Sequence, residues 1–198
     1  RPSFTLYWIG NNPRIDVWTG VSSEKDGGRI RATLDDLWAR VFLDKILELC
    51  NPAAPNDSAY IIECKNHTWQ NNKRSQEPVV ESRIVAGRDK DGRVYVSVLS
   101  ADPQRSKVRF LFGNTFYNTL SYKNEKLSDA QISWTVASAW ANSIINYYGL
   151  VAAESYVHKT AENKNGGGNK GNNQSYRNNG NSNNSSSVSD EYGDDLPF

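Results

Sequence analysis

Up to about residue 155 the chain alternates apolar and polar residues in short bursts, and twice that period of two gives way to one of three to four. Runs 4–9 (Phe-Thr-Leu-Tyr-Trp-Ile) and 15–20 (Ile-Asp-Val-Trp-Thr-Gly) flank Gly10-Asn11-Asn12-Pro13, a turn signal that predicts a hairpin. A third short strand is expected over 29–33, after Gly27-Gly28. Leu34, Trp38, Val41, Phe42, Ile46 and Leu49 then recur at helical spacing, with Thr33 placed to cap the helix and Asn51-Pro52 to stop it. Strands return at about 59–65, 79–87, 93–100 and 107–112, separated by an Asp-Gly connection at 88–92 and a turn at Ala101-Asp102-Pro103. The second helix is announced by a capping box, Ser128 with Gln131, and by Leu127 stapling onto Ile132. Its stripe of Ile132, Val136, Trp140, Ile144 and Tyr147 runs to Gly149, a C-terminal stop.

Strands then a helix, twice over, predict an α+β fold: antiparallel β-meander sheets with two helices, built as two β-meander-plus-helix units on one core. That order of elements resembles the PC4, Whirly and Pur class of single-strand binders. The alternative is an OB-fold β-barrel, in which a helix sits between the third and fourth strands. Both offer one face of an antiparallel sheet to a strand of DNA.

Composition changes abruptly after the second helix. From Glu162 to Ser187 the sequence is nearly all Asn, Gly and Ser, too polar to bury a core. The expected organisation is a binding domain over 1–158, a disordered linker over 159–187 and an acidic tip over 188–198. On random-coil scaling the linker reaches roughly 30 Å. The formal charge of +1 conceals an asymmetry, because the tip holds four acids and no base, leaving 23 bases against 18 acids before it. A mildly cationic body with an acidic tail fits a polyanion binder.

Alternation assigns the faces of the later strands. With Val94, Val96, Val98 and then Val108, Phe110 and Phe112 directed inward, Arg93, Tyr95, Lys107 and Arg109 fall on an exposed face that can neutralise phosphates and stack a base. Between two strands, Lys65, Trp69, Lys73 and Arg74 lie in a polar, basic stretch where a Trp has little core to enter. Trp8 and Trp18 alternate with Tyr7 on the first hairpin, one face of which is core, and both complete the candidate single-strand contacts. Trp38, Trp134 and Trp140 follow helical patterns and belong to the core or to a subunit interface, which leaves a homo-oligomer open. Phe116 and Tyr117 are placed on a rim loop.

The final segment, Asp194-Asp195-Leu196-Pro197-Phe198, joins two carboxylates to a rigid Pro and an aromatic, with no nearby apolar surface to bury them. It resembles the acidic tip of the single-stranded DNA-binding proteins (SSB) of bacteria and their phages. The resemblance implies sequence-independent coating of single strands in replication, recombination and repair, and recruitment of partner enzymes through the tip. The body lacks the N-terminal strand sequence of the bacterial housekeeping type, so a phage or mobile-element protein fits better.

Chemistry finds less support. Glu63-Cys64-Lys65 on an apolar strand looks like the Glu-x-Lys core of metal-dependent nucleases, which would need Asp57 as the second acid. That element order is not apparent, and no phosphate loop or nucleophile elbow occurs. Cys50 and Cys64 with His67 and His158 show no zinc spacing and read as reduced core thiols and isolated imidazoles. Neither an enzyme nor a cofactor or metal is expected, and the absence of a signal-like or 18-residue apolar run predicts a soluble, cytoplasmic protein.

Overall fold

The computed structural model describes residues 1–9, 12–71 and 73–156; the linker and acidic tip lie outside them. Strands β1 (Ser3–Ile9) and β2 (Asn12–Trp18) form the expected hairpin, paired from Ser3–Trp18 to Ile9–Asn12, and β3 (Arg29–Thr33) adds antiparallel to β2. Helix α1 (Asp36–Leu49) follows. Its cap is Asp35, whose carboxylate accepts the Trp38 backbone N–H at 2.9 Å, and not Thr33. Thr33 is the last residue of β3, and its partner is Arg14.

The second unit opens with β4 (Ser58–Asn66). It then makes a small hairpin of β5 (Trp69–Gln70) and β6 (Lys73–Arg74), and returns as β7 (Val79–Arg88), β8 (Val94–Ser100) and the short β9 (Phe110–Leu111). Its sheet has the order β4-β7-β8-β9, antiparallel throughout. A further hairpin, β10 (Ser121–Tyr122) with β11 (Glu125–Lys126), precedes α2 (Asp129–Ser155). The capping box is formed: Ser128 Oγ accepts the Gln131 N–H at 3.2 Å while Gln131 Oε1 accepts the Ser128 N–H at 3.0 Å. The helix runs past Gly149, whose backbone stays helical, so that glycine is not a stop.

The architecture is therefore α+β, two β-meander-plus-helix units on a shared core. Ile15, Val17, Ile30 and Ala32 of the first sheet meet Ile84, Ala86, Val94, Val96 and Val98 of the second, with Phe42, Leu43 and Ile46 of α1 and Ala137 and Ala141 of α2 filling between. β3 packs on β7 and β8, and α1 on α2. Among the described residues the two sheets stay open and share no strand pairing, which rules out the closed barrel of the OB-fold alternative.

Buried polar groups tie the layers. Ser133 of α2 accepts the Val94 N–H at 2.8 Å, and Tyr148 donates to the Asp36 carbonyl at 2.9 Å. Tyr148, and not Tyr147, faces the core; burial and then its bond to Asp36 push its phenol well above the usual range. Cys50 and Cys64 are free thiols, both raised to about 11 by burial. No described helix is long and apolar enough to cross a membrane.

Candidate nucleic-acid interface

The outer face of the first sheet carries three arginines and one aspartate. Period-two alternation sends Ile15 and Val17 inward and Arg14, Asp16 and Trp18 outward, and on β3 sends Ile30 and Ala32 inward and Arg29 and Arg31 outward. Cross-strand register then sets Asp16 opposite Arg31 and Trp18 opposite Arg29. Asp16 is only 4 % exposed, yet it accepts from Tyr7 Oη at 2.8 Å, Arg29 Nε at 2.8 Å and Arg31 Nε at 3.0 Å. Burial alone would raise its carboxyl; the bonds from Arg31, Arg29 and Tyr7 outweigh burial and hold it below the ordinary value. The same pairing raises both guanidiniums. Three arginines against one carboxylate leave the face cationic, and the Trp18 ring lies 5.4 Å from the Arg29 guanidinium with 41 % of its surface exposed.

This face borders a groove of about 730 Å³, lined by Trp18, Arg29 and Arg31 on one side and by His67 and Thr68 on the other. Beyond Thr68 rises the β5–β6 hairpin. Its turn begins at Asn71, at φ +51°, the left-handed geometry a two-residue hairpin loop requires. At its base Ser75 N–H donates to the Thr68 carbonyl at 2.8 Å, and the His67 ring nitrogen Nδ1 lies 2.9 Å from the Ser75 carbonyl. Trp69 and Arg74 are directly paired and so share a face of the arm, with the Trp69 indole 69 % exposed. Lys73 and Arg74 are exposed, and Lys65 at the foot of the arm is exposed but within 3.7 Å of Glu63.

The expected face of the second sheet is a different surface. Val94, Val96 and Val98 do point inward, but Tyr95 on the opposite side is buried as well, at 8 % exposure. Its ring lies over Gly87, where a Cβ would come within 2.4 Å of the Tyr95 ring, and Arg109 covers it at 4.7 Å. Arg93 is consumed by its own turn: Asp89 and Asp91 pair with it at 2.9 and 3.1 Å, and Asp89 raises its guanidinium. The β7 register puts Arg88, next to that turn, nine residues from Val79 beside the arm, roughly 30 Å along the strand. Of this group, Lys107 and Arg109 stay exposed.

Trp8 faces the interior and packs edge-on against Tyr148 at 5.2 Å, so its assignment to the single-strand contacts is corrected to a core role. Trp134 donates to the Gly92 carbonyl at 2.7 Å, and Trp140 packs on Phe112 at 5.4 Å, both as expected. Phe116 and Tyr117 stand exposed on a loop, stacked edge to face. The groove thus brings Trp18 to the foot of the arm at His67 and Thr68, from which Trp69, Lys73 and Arg74 follow in the chain, while Lys65 lines an adjoining trough. Beside Trp18 the first sheet sets Tyr7 of β1 and adds Arg14, Arg29 and Arg31, whose signal was the same alternation that fixed β2 and β3.

Glu63 of the Glu-x-Lys tripeptide is bonded by Arg83 Nε at 3.1 Å and flanked by Lys65. Among the described residues no three His, Cys, Asp or Glu side chains gather to hold a metal ion. Compared with protein families, curated proteins and solved structures, the chain matches none.

Proposed function

We propose that this protein is a non-catalytic, sequence-independent single-stranded DNA-binding protein that coats replication and recombination intermediates. The observation that carries the reading is the groove that runs from Trp18, Arg29 and Arg31 of the first sheet to His67 and Thr68, where the chain enters the arm bearing the exposed Trp69, Lys73 and Arg74. Guanidinium and ammonium groups neutralise phosphates without reading sequence, and exposed indoles stack on any base that is not already paired. A duplex hides its base faces, so stacking on Trp18 and Trp69 selects single strands. The acidic segment Asp194 to Phe198, outside the described residues, enters the same proposal through its resemblance to SSB tips, as a hook for replication and recombination proteins. A phage-encoded protein of this kind would act in the bacterial host cytoplasm.

The test is titration of the full chain against single-stranded and duplex oligonucleotides of equal length at low and moderate salt. Tighter, salt-sensitive binding to the single strand is expected; equal affinity for both would remove the proposal.

A further inference from the structure

A second trough, of about 720 Å³, lies beside the first and shares Asn66 and Glu81 with it. One wall is Arg14 and Thr33 of the first sheet with Trp38 of α1; the other is the end of β4 through Lys65 and Asn66. Glu81 reaches the junction because β7 carries a bulge there: Cys64 pairs with Ser82 and Lys65 with Val80, leaving Glu81 as the extra residue. Two features of the trough have no use in the fold. The Trp38 indole is 49 % exposed, since Ala39, Phe42, Leu43, Ile46 and Leu49 supply the apolar face of α1, and among the described residues it meets no other ring. The Arg14 Nε–H is buried without an acceptor, and among the described residues Arg14 makes no ion pair. Buried donors are almost always satisfied, so an acceptor from outside the chain fits this one.

The charges decide what kind of acceptor. Asp35 and Glu81 offset Arg14 and Lys65 on these walls and Glu63 is already bonded by Arg83, so a phosphate would enter at a penalty, with no surplus cation to offset its charge. A flat, uncharged ring with an acceptor edge meets no such penalty. We infer that the trough seats an unpaired nucleobase, stacked on Trp38 with its acceptor edge toward Arg14, while the phosphates pass over the arginines of the first sheet. This rests on the single-strand reading and adds a base subsite to it, making Trp38 a ligand contact where its helical position indicated core.

The experiment uses the full chain with Trp38→Ala, Trp38→Phe and Arg14→Gln, titrated against a base-bearing single strand and an abasic strand of the same length. Trp38→Ala should weaken the base-bearing strand roughly 10-fold, and the abasic strand less than about twofold. Trp38→Phe should recover most of the loss, and Arg14→Gln should follow Trp38→Ala in direction. Parent-like binding by both Trp38→Ala and Arg14→Gln would overturn the subsite while leaving the single-strand reading intact. An equal loss on both strands would overturn it too, because Trp38 would then touch only the backbone. A parent that ignores strandedness would sink the underlying reading first, and the parent curve alone reports that. Should Arg14→Gln fail to fold, the exposed Trp38 carries the test.

Discussion

The outer faces of the two sheets are built from the same alternation, yet they hold their cations in opposite ways. On the first sheet Arg29 and Arg31 share the single carboxylate of Asp16, Arg14 pairs with no carboxylate among the described residues, and a Trp ring lies alongside. On the second, Arg93 is matched by two aspartates, Arg83 by Glu63, and the one aromatic is buried under Arg109. A count of basic residues on exposed positions does not separate these faces; the ratio of guanidiniums to carboxylates within bonding distance does. Cations matched one to one already have their hydrogen bonds, whereas surplus cations still attract an anion.

The largest expected effect comes from removing the arm's chemistry. Trp69→Ala with Lys73→Ala and Arg74→Ala deletes one stacking platform and two phosphate contacts, and should weaken single-strand affinity on the order of 100-fold by fluorescence anisotropy. These three side chains are exposed, so thermal stability should stay at the parent value. An affinity within threefold of the parent would move the interface elsewhere.

Next comes the carboxylate that organises the cationic face. Asp16→Asn breaks charge-assisted bonds to both arginines and should cost about 1.5–3 kcal/mol in a denaturant titration at neutral pH. The folded-state carboxyl sits below its unfolded value, so the stabilisation is complete above about pH 4 and fades as pH falls through the folded-state value. The gap between parent and variant should therefore narrow in acid. A gap that widens in acid would mean Asp16 is not the anchor.

Smaller again, Trp18→Ala should lose roughly tenfold in single-strand affinity, one stacked base, with Trp18→Phe intermediate. Smallest is Arg93→Ala, expected to bind within about twofold of the parent because its charge is already matched by Asp89 and Asp91. A tenfold loss there would show that pairing does not silence a cation on this surface.

Much of the fold was legible in the chain because it depends on local signals. The first hairpin, the alternation of β2 and β3 and the capping box at Ser128 act within a few residues and each formed, although β2 begins at Asn12, three residues before the expected strand. The misses have local and distant causes. Thr33 and Asp35 both have cap chemistry, but Thr33 is held in β3 opposite Arg14, whereas Asp35 directly precedes the helix and reaches the Trp38 N–H three residues on. The α2 stripe from Ile132 by fours arrives at Tyr148, and Tyr147 one residue earlier is turned to solvent. Two-residue strands carry no period, so the arm read as a loop, although its Trp69, Lys73 and Arg74 stood out by composition. Tyr95 was assigned by alternation alone, and its burial depends on Gly87 in the neighbouring strand leaving room for the ring.

The contrast between the faces is sharpest in salt dependence. The measurement is the slope of log affinity against log salt for a single-stranded oligonucleotide, taken for the parent, for Lys73→Ala with Arg74→Ala, and for Arg83→Ala with Arg93→Ala, the second-sheet guanidiniums already paired with carboxylates. Each lost phosphate contact lowers the slope by about 0.7. The arm pair should lower it by roughly 1.4, and the second-sheet pair should leave it close to the parent. A slope unchanged by the arm pair and flattened by the second-sheet pair would contradict the account.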